Sequence, residues 1–251
     1  MRKLGSLLAV AVPIALMLAG CGGKEPPPLA AAAPSTGVSR GIDIATDARD
    51  VSQELKSSRL HFVARYYRDP ESRLPPLSAE EARAVTAAGK KLVAVWQYKS
   101  NKPEHFSYAS GQADGMAAHR QAKAVGQPPG TAIYFAVDYN VPEPEIRSLI
   151  EPYFRGVAAG LAAAAGKQRE YRIGVYSSGA VCGYLKGARL AEYAWLSHSR
   201  AWAGYASFTN WDIKQGPRST AVSFDHDMNE ARGEFGAFTV QGQSQFTLAG
   251  S

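Results

Sequence analysis

The stretch Thr131–Asn140, TAIYFAVDYN, decides how the rest of the chain is read. It is apolar and β-rich, ends in a carboxylate, and runs into Val141-Pro142-Glu143, which has the composition of a helix start. Alternation along it puts Tyr134, Ala136, Asp138 and Asn140 on one face and Ile133, Phe135 and Val137 on the other. In a protein of alternating strands and helices, a polar residue at the carboxyl end of a buried strand stands where chemistry is usually placed.

Working outward, the same alternation recurs. Gly41–Ile44 precedes a helical pattern from Asp50, and Leu60–Tyr67 (LHFVARYY) precedes a helix opened by Ser78-Ala79-Glu80-Glu81 and stopped at Gly89. Leu92–Tyr98 (LVAVWQY) leads to a helix from about Gly111 to Val125, closed by Gly126. The central stretch leads to a helix from Pro142 to Ala165, closed by Gly166. Tyr171–Ser177, Glu192–Ser197, Ser207–Ile213 and Ala221–Asp227 complete eight strands. Only a stub near Arg200–Tyr205 separates the sixth from the seventh, and only a loop, Lys214–Thr220, separates the seventh from the eighth. Eight strands without a dinucleotide-binding glycine fingerprint predict a compact, irregular (β/α)8 barrel of TIM type rather than an open doubly wound sheet.

Side-chain parity places Asp43, Arg65, Gln97, Asp138, Tyr176 and Asp227 inward at the strand tops. Gly41, Val63, Val95, Ala136, Gly174 and Asp225 then lie one layer down, and Ile42, Phe62, Leu92, Ile133 and Phe135 pack against the helices. Three carboxylates, Asp43, Asp138 and Asp227, thus meet at one mouth, where crowding of like charges raises at least one pKa. That is what glycoside hydrolysis requires, one carboxyl protonated and one ionised. The alternative is structural, with Arg65 neutralising some of them or the carboxylates capping helices. Tyr176 and Trp211 are candidate stacking surfaces for sugar rings, Arg65, Gln97 and Asn140 candidate polar contacts, and Trp96 is read as packing against helices. Adjacent residues on a strand point apart, so Asp225, His226 and Asp227 do not form a metal site; neither a metal nor a cofactor is expected.

The first twenty residues have the layout of an export signal: Arg2 and Lys3, an apolar run Leu4–Met17, then small residues before Cys21. Leu18-Ala19-Gly20-Cys21 resembles the bacterial lipobox, which implies cleavage before Cys21 and its acylation. Residues 21–37, rich in Pro and Ala, read as a tether, and 38–251 as one domain. The expected place is the cell envelope, membrane-anchored and facing the periplasm or the exterior. Loss of Arg2 and Lys3 takes the formal charge from +6 to +4, a modest excess compatible with anionic wall polymer or headgroups. No nucleic-acid motif is present. With Cys21 lipidated, Cys182 has no disulfide partner in the chain and reads as a small buried residue.

GIDIA, FVARYY, a helix with EEA and AG, LVAVWQY, AIYFAVDYN, YRIGVYSSG, YAWLS and FDHDMNE, in that order, resemble the glycoside-hydrolase-like domain of bacterial cell-envelope proteins. That family is similar to the family 25 lysozymes. The resemblance covers nearly all of the chain after Val38 and implies a peptidoglycan-related substrate. It maps a first-strand aspartate to Asp43, an Asp-x-Glu strand end to Asp138 and Asn140, and a last-strand aspartate to Asp227 with Asn229. Asn140 departs from the pattern, because an amide cannot donate a titratable proton. Three readings follow: a hydrolase that draws its proton from another acid, a glycan-binding or sensing lipoprotein that has lost it, or a scaffold for a protein partner.

Overall fold

Eight strands close into one barrel in the computed structural model, which describes residues 37–166 and 168–241. The expected signal peptide, Cys21 and all but the last residue of the tether lie outside the described residues. The strands are β1 (Val38–Asp43), β2 (Phe62–Tyr67), β3 (Lys91–Trp96), β4 (Ala132–Ala136), β5 (Arg172–Ser177), β6 (Tyr193–Leu196), β7 (Ile213–Ser219) and β8 (His226–Arg232). They pair in sequence order, parallel from β1 to β7, whereas β8 runs antiparallel to both β7 and β1. The helices are α1 (Ser52–Ser57), α2 (Ala79–Ala87), α3 (Tyr108–Val125), the single turn α4 (Glu143–Glu145), α5 (Glu151–Ala165) and α6 (Gly179–Gly187).

Two apolar layers follow from the alternation. Phe62, Val93, Val95, Tyr134, Trp195 and Ile213 fill the barrel, while Ile42, Leu92, Ile133, Phe135, Phe154 and Leu161 lie between sheet and helices. Large inner side chains face glycines: a Cβ on Gly41 would stand 2.5 Å from the Phe62 ring, and one on Gly174 2.4 Å from the Tyr134 ring. The segment after β8 closes the bottom. Phe235 packs on Phe62 with ring centroids 5.1 Å apart, Tyr134 donates its hydroxyl to the Phe235 carbonyl at 2.8 Å, and Phe238 pairs with Leu92. The opposite end, at the carboxyl ends of the parallel strands, stays open.

The outer helices approach each other very closely. Gly111 and Gly115 of α3 face the α5 backbone at Tyr153 and Val157, Gly156 and Gly160 of α5 face the α3 backbone at Tyr108 and Gln112, and a Cβ on Gly111 would lie 2.0 Å from the Tyr153 carbonyl oxygen. Ser78 caps α2 through the Glu81 amide where the sequence puts it, whereas a Ser107/Ser110 capping box opens α3 one turn earlier than expected.

Two expectations are corrected. β7 begins where the expected seventh strand ends and contains most of the expected loop, and β8 lies five residues later than expected. Their sequences, IKQGPRS and HDMNEAR, carry no apolar alternation because the outer face is exposed and charged and the inner face is largely polar. Gly216-Pro217 reads as a turn but sits at a register shift between Gln215 and Arg218, where a proline is tolerated within a strand. The second correction is the parity of β2. Phe62, Ala64 and Tyr66 face the interior, and Val63, Arg65 and Tyr67 face the helices. FVARYY offers bulky residues on both faces, so alternation alone does not choose between them.

Candidate functional site

The open end of the barrel is a cavity of about 190 Å³ lined by residues of seven strands and of the segments that follow β3 and β4. Asp43 closes β1, Gln97 directly follows β3, Asp138 lies two residues past β4, and Tyr66, Tyr176 and Gln215 point inward from β2, β5 and β7. Because β8 runs downward, its first turn of backbone brings Asp227 to the mouth, in register with Asp43. The next inward residue is Asn229, not the expected Asp225, whose exposed carboxylate lies 3.6 Å from Arg218.

The carboxylates divide into a pair and a single. Asp43 is 6 % exposed and accepts hydrogen bonds from Asn229 Nδ2 at 2.7 Å, Gln215 Nε2 at 3.1 Å and the Tyr66 hydroxyl at 3.1 Å. Gln215 Nε2 also donates to Asp227 at 3.3 Å, bridging the two acids. Burial pushes the Asp43 carboxyl up to about 6; the Asp227 charge adds to the rise, and the three donors oppose it. Asp138 stands apart, accepting from Gln97 Nε2 at 3.0 Å while its own amide donates to the Ser100 carbonyl at 2.7 Å. Burial raises its pKa too, with Gln97 opposing. Tyr176 donates to Gln215 Oε1 at 2.9 Å, which fixes the orientation of that amide and so the two donor contacts it makes. An acid held near neutrality beside other carboxylates is able to give up a proton, and the single carboxylate on another strand is able to support positive charge.

Of the residues expected at the site, Asp43, Gln97, Asp138, Tyr176 and Asp227 are brought together. Arg65 is not. It is fully buried outside the sheet, forms a two-pronged ion pair with Glu81 of α2, and donates to the Ile44 carbonyl at 3.1 Å. Trp211 is not in the mouth either; it lies on the outer wall with the Arg232 guanidinium 3.4 Å from its ring centroid. Asn140 is exposed at the rim, where its Oδ1 accepts from the Ala203 amide at 2.9 Å. Tyr66, Val95, Trp195 and Gln215 complete the lining. The opposite parity of FVARYY would have pointed to Tyr66, whereas Gln215 lay in an expected loop and carried no signal.

The Rv2525c-like, glycoside hydrolase-like domain model matches residues 53–243. The chain belongs to that family. The match begins after Asp43, so the first carboxylate enters through the fold rather than through the matched segment. This glycoside hydrolase-like domain is 27% identical over 191 residues to FadG of Bacillus subtilis (strain 168), an alignment covering 71% of this chain and 33% of FadG; the chain thus spans about a third of that relative's length. In three dimensions it is similar to the Mycobacterium tuberculosis Tat-secreted protein Rv2525c, solved with HEPES, with a TM-score of 0.62 and 22% identity over 81% of this chain and 99% of that one. It is also similar to the modular autolysin LytC of Streptococcus pneumoniae, solved with a synthetic peptidoglycan ligand. There the TM-score is 0.50 and the identity 12%, covering 77% of this chain and 46% of LytC. At such identities the likeness is one of fold.

Proposed function

We propose that the glycoside hydrolase-like domain engages peptidoglycan or a related envelope glycan in the barrel mouth and hydrolyses it with its own three aspartates. The observation that carries this reading is the Asp43 carboxyl, held near 6 in a mouth shared with Asp138 and Asp227. Asp43 supplies the proton to the leaving oxygen, with Gln215 and Asn229 holding it in place and the Asp227 charge favouring its protonated form. Asp138, ionised, stabilises or attacks the sugar carbon. Gln97 orients Asp138, and Tyr66 and Tyr176 present ring faces to the saccharide. The peptidoglycan ligand in LytC supports the choice of glycan, and the secreted state of Rv2525c supports an exported address.

A second reading rests on Asn140: the residue that maps to a lysozyme acid is here an amide engaged with Ala203, as in a barrel that binds glycan without cleaving it. Purified full-length chain incubated with peptidoglycan separates the two. Release of new reducing ends by wild type, lost in Asp138→Asn and Asp43→Asn, is expected; binding without release selects the second reading, and neither binding nor release sinks both.

The proposal includes the address. Residues 1–20 act as an export signal, Cys21 carries the lipid, and residues 21–37 tether the domain formed by 38–251. Among the described residues no helix is long and apolar enough to cross a membrane. Mass spectrometry of Cys21 tests the anchor, and Cys21→Ala is expected to move the protein out of the membrane fraction.

A further inference from the structure

A second cavity, of about 390 Å³, adjoins the mouth and shares Tyr66, Gln97 and Asp138 with it. Its wall carries Arg68 and Lys99 beside Tyr98. Arg68 is 9 % exposed, yet among the described residues no carboxylate pairs with its guanidinium, and its Nε has no hydrogen-bond partner. The guanidinium carbon lies 4.3 Å from the centroid of the Tyr66 ring, the same tyrosine whose hydroxyl holds Asp43. A cation–π contact offsets only part of what it costs to bury a charge without a counter-ion. The position is not accidental slack either. The Arg68 amide donates to Gln121 Oε1 at 2.9 Å, and Gln121 Nε2 donates back to the Arg68 carbonyl, so α3 pins the backbone from both sides. Lys99 on the same wall adopts a left-handed backbone, with φ of 48°, a conformation a lysine takes only at some cost. Its ammonium is 4.9 Å from the Tyr98 ring centroid and 3.5 Å from the exposed Glu71.

A guanidinium over a ring face keeps its N–H donors in its own plane, where a planar carboxylate matches them two to one. We propose that Arg68 is the centre of a subsite that reads a carboxylate substituent on the glycan held over Asp138. This rests on the mouth being a glycan site and adds the substrate class: an acidic saccharide is preferred over a neutral one. Asp138 lines the same cavity and repels a carboxylate placed near it, so the acidic group is directed to Arg68.

Calorimetric titration of the full-length chain tests this with two probes. One is a peptide-free tetrasaccharide of alternating N-acetylglucosamine and N-acetylmuramic acid, whose lactyl ethers end in free carboxylates. The other is the same tetrasaccharide with those carboxylates converted to methyl amides. Wild type is expected to bind the acid form about tenfold more tightly, the size of one charge-assisted contact. Arg68→Gln is expected to lose that preference with unchanged affinity for the amide form, while Arg68→Lys keeps part of it. Retained affinity for the amide form reports that each variant has folded. Equal binding of both probes by wild type, or an undiminished preference in Arg68→Gln, overturns the subsite and leaves the glycan reading standing. Binding of neither probe overturns both.

Discussion

The half of the barrel from β2 to β5 and the seam formed by β7, β8 and β1 close the same sheet in opposite ways. The first is clad in helices, and its outer face buries apolar residues together with one ion pair, Arg65 with Glu81. The seam has a hairpin where a crossover helix would be, and its outer face presents Arg40, Lys214, Glu230 and Arg232 to solvent. Inside, the contrast reverses. The helix-clad half lines the barrel with Phe62, Val93, Val95 and Tyr134, whereas the seam turns Gln215, Asn229, Asp227 and Asp43 inward. The amide donors of Gln215 and Asn229 bond to the two carboxylates, which is what allows those acids to be buried, and among these groups Asn229 Oδ1 is left without a partner. The bonded acid pair therefore arises where the strand direction reverses, and the helix-clad half contributes Asp138 as a separate carboxylate.

The largest effect is expected at Arg65. Removing one partner of a buried ion pair leaves the other charge uncompensated, so Arg65→Met is expected to cost about 3–5 kcal/mol in urea denaturation. Replacing both, Arg65→Met with Glu81→Leu, restores most of it, because the desolvated pair is exchanged for apolar packing. An Arg65→Met protein of wild-type stability would return Arg65 to the list of site residues.

At the seam the corresponding test is pH. The folded Asp43 carboxyl titrates near 6 and the unfolded one near 3.8, so across that window the folded state holds the proton more strongly. Its contribution to stability is full below about pH 4, declines as pH rises towards 6, and is lost above. Asp43→Asn cannot ionise, and relative to wild type it is expected to gain up to about 3 kcal/mol between pH 4 and pH 7 while losing activity. Asp114, in the helix-clad half, is also pushed up to about 6 by burial, opposed by the Tyr153 hydroxyl at 2.7 Å. A decline therefore persists in Asp43→Asn; one as steep as in wild type would show that the seam holds its acid no more tightly than water does.

A smaller effect is expected at the helix contact. In Gly156→Ala the added Cβ would stand 2.1 Å from the Tyr108 carbonyl oxygen, and the backbone must move to admit it. Overpacking of this kind costs about 1–3 kcal/mol, reduced by about 1 kcal/mol through the better helix propensity of alanine, so a net loss of up to about 2 kcal/mol is expected in thermal or urea unfolding.

The same division explains what could be read from the sequence. In the helix-clad half the strands are apolar, the sequence marks helix bounds at Ser78, Gly126 and Gly166, and the elements lie close to where those signals put them. FVARYY is the exception, since both its faces are buried and period-two alternation cannot say which looks inward. The seam has no such pattern, because its buried inner face is polar, and polarity on a strand reads as a loop. Gln215 was hidden for that reason. Asp43 and Asp227 were legible from parity at the ends of the expected first and eighth strands and from the company of Asp138, and Trp211 followed a strand boundary placed too early.

Asn140 joins the two halves and carries the smallest of these effects. It follows β4 in the helix-clad half, and its acceptor oxygen holds the Ala203 amide in the long connection that leads to β7. That connection is also held at Gly204, whose carbonyl would stand 2.1 Å from a Cβ on Gly179, and by the Ala180 amide, which donates to the Ala203 carbonyl at 2.9 Å. With two other attachments in place, Asn140→Ala removes one exposed hydrogen bond, expected to cost about 0.5–1 kcal/mol. The sensitive readout is hydrogen exchange at Ala203, faster by about two- to fivefold while amides of β4 keep their protection. Asn140→Glu loses the same restraint only in part, since a carboxylate can still accept from the amide, but it adds an acid at the rim. If Asn140→Glu raises reducing-end release and leaves Ala203 protected, the position is a catalytic vacancy. If exchange at Ala203 quickens and release is unchanged, the amide serves the loop, and the proton comes from the seam.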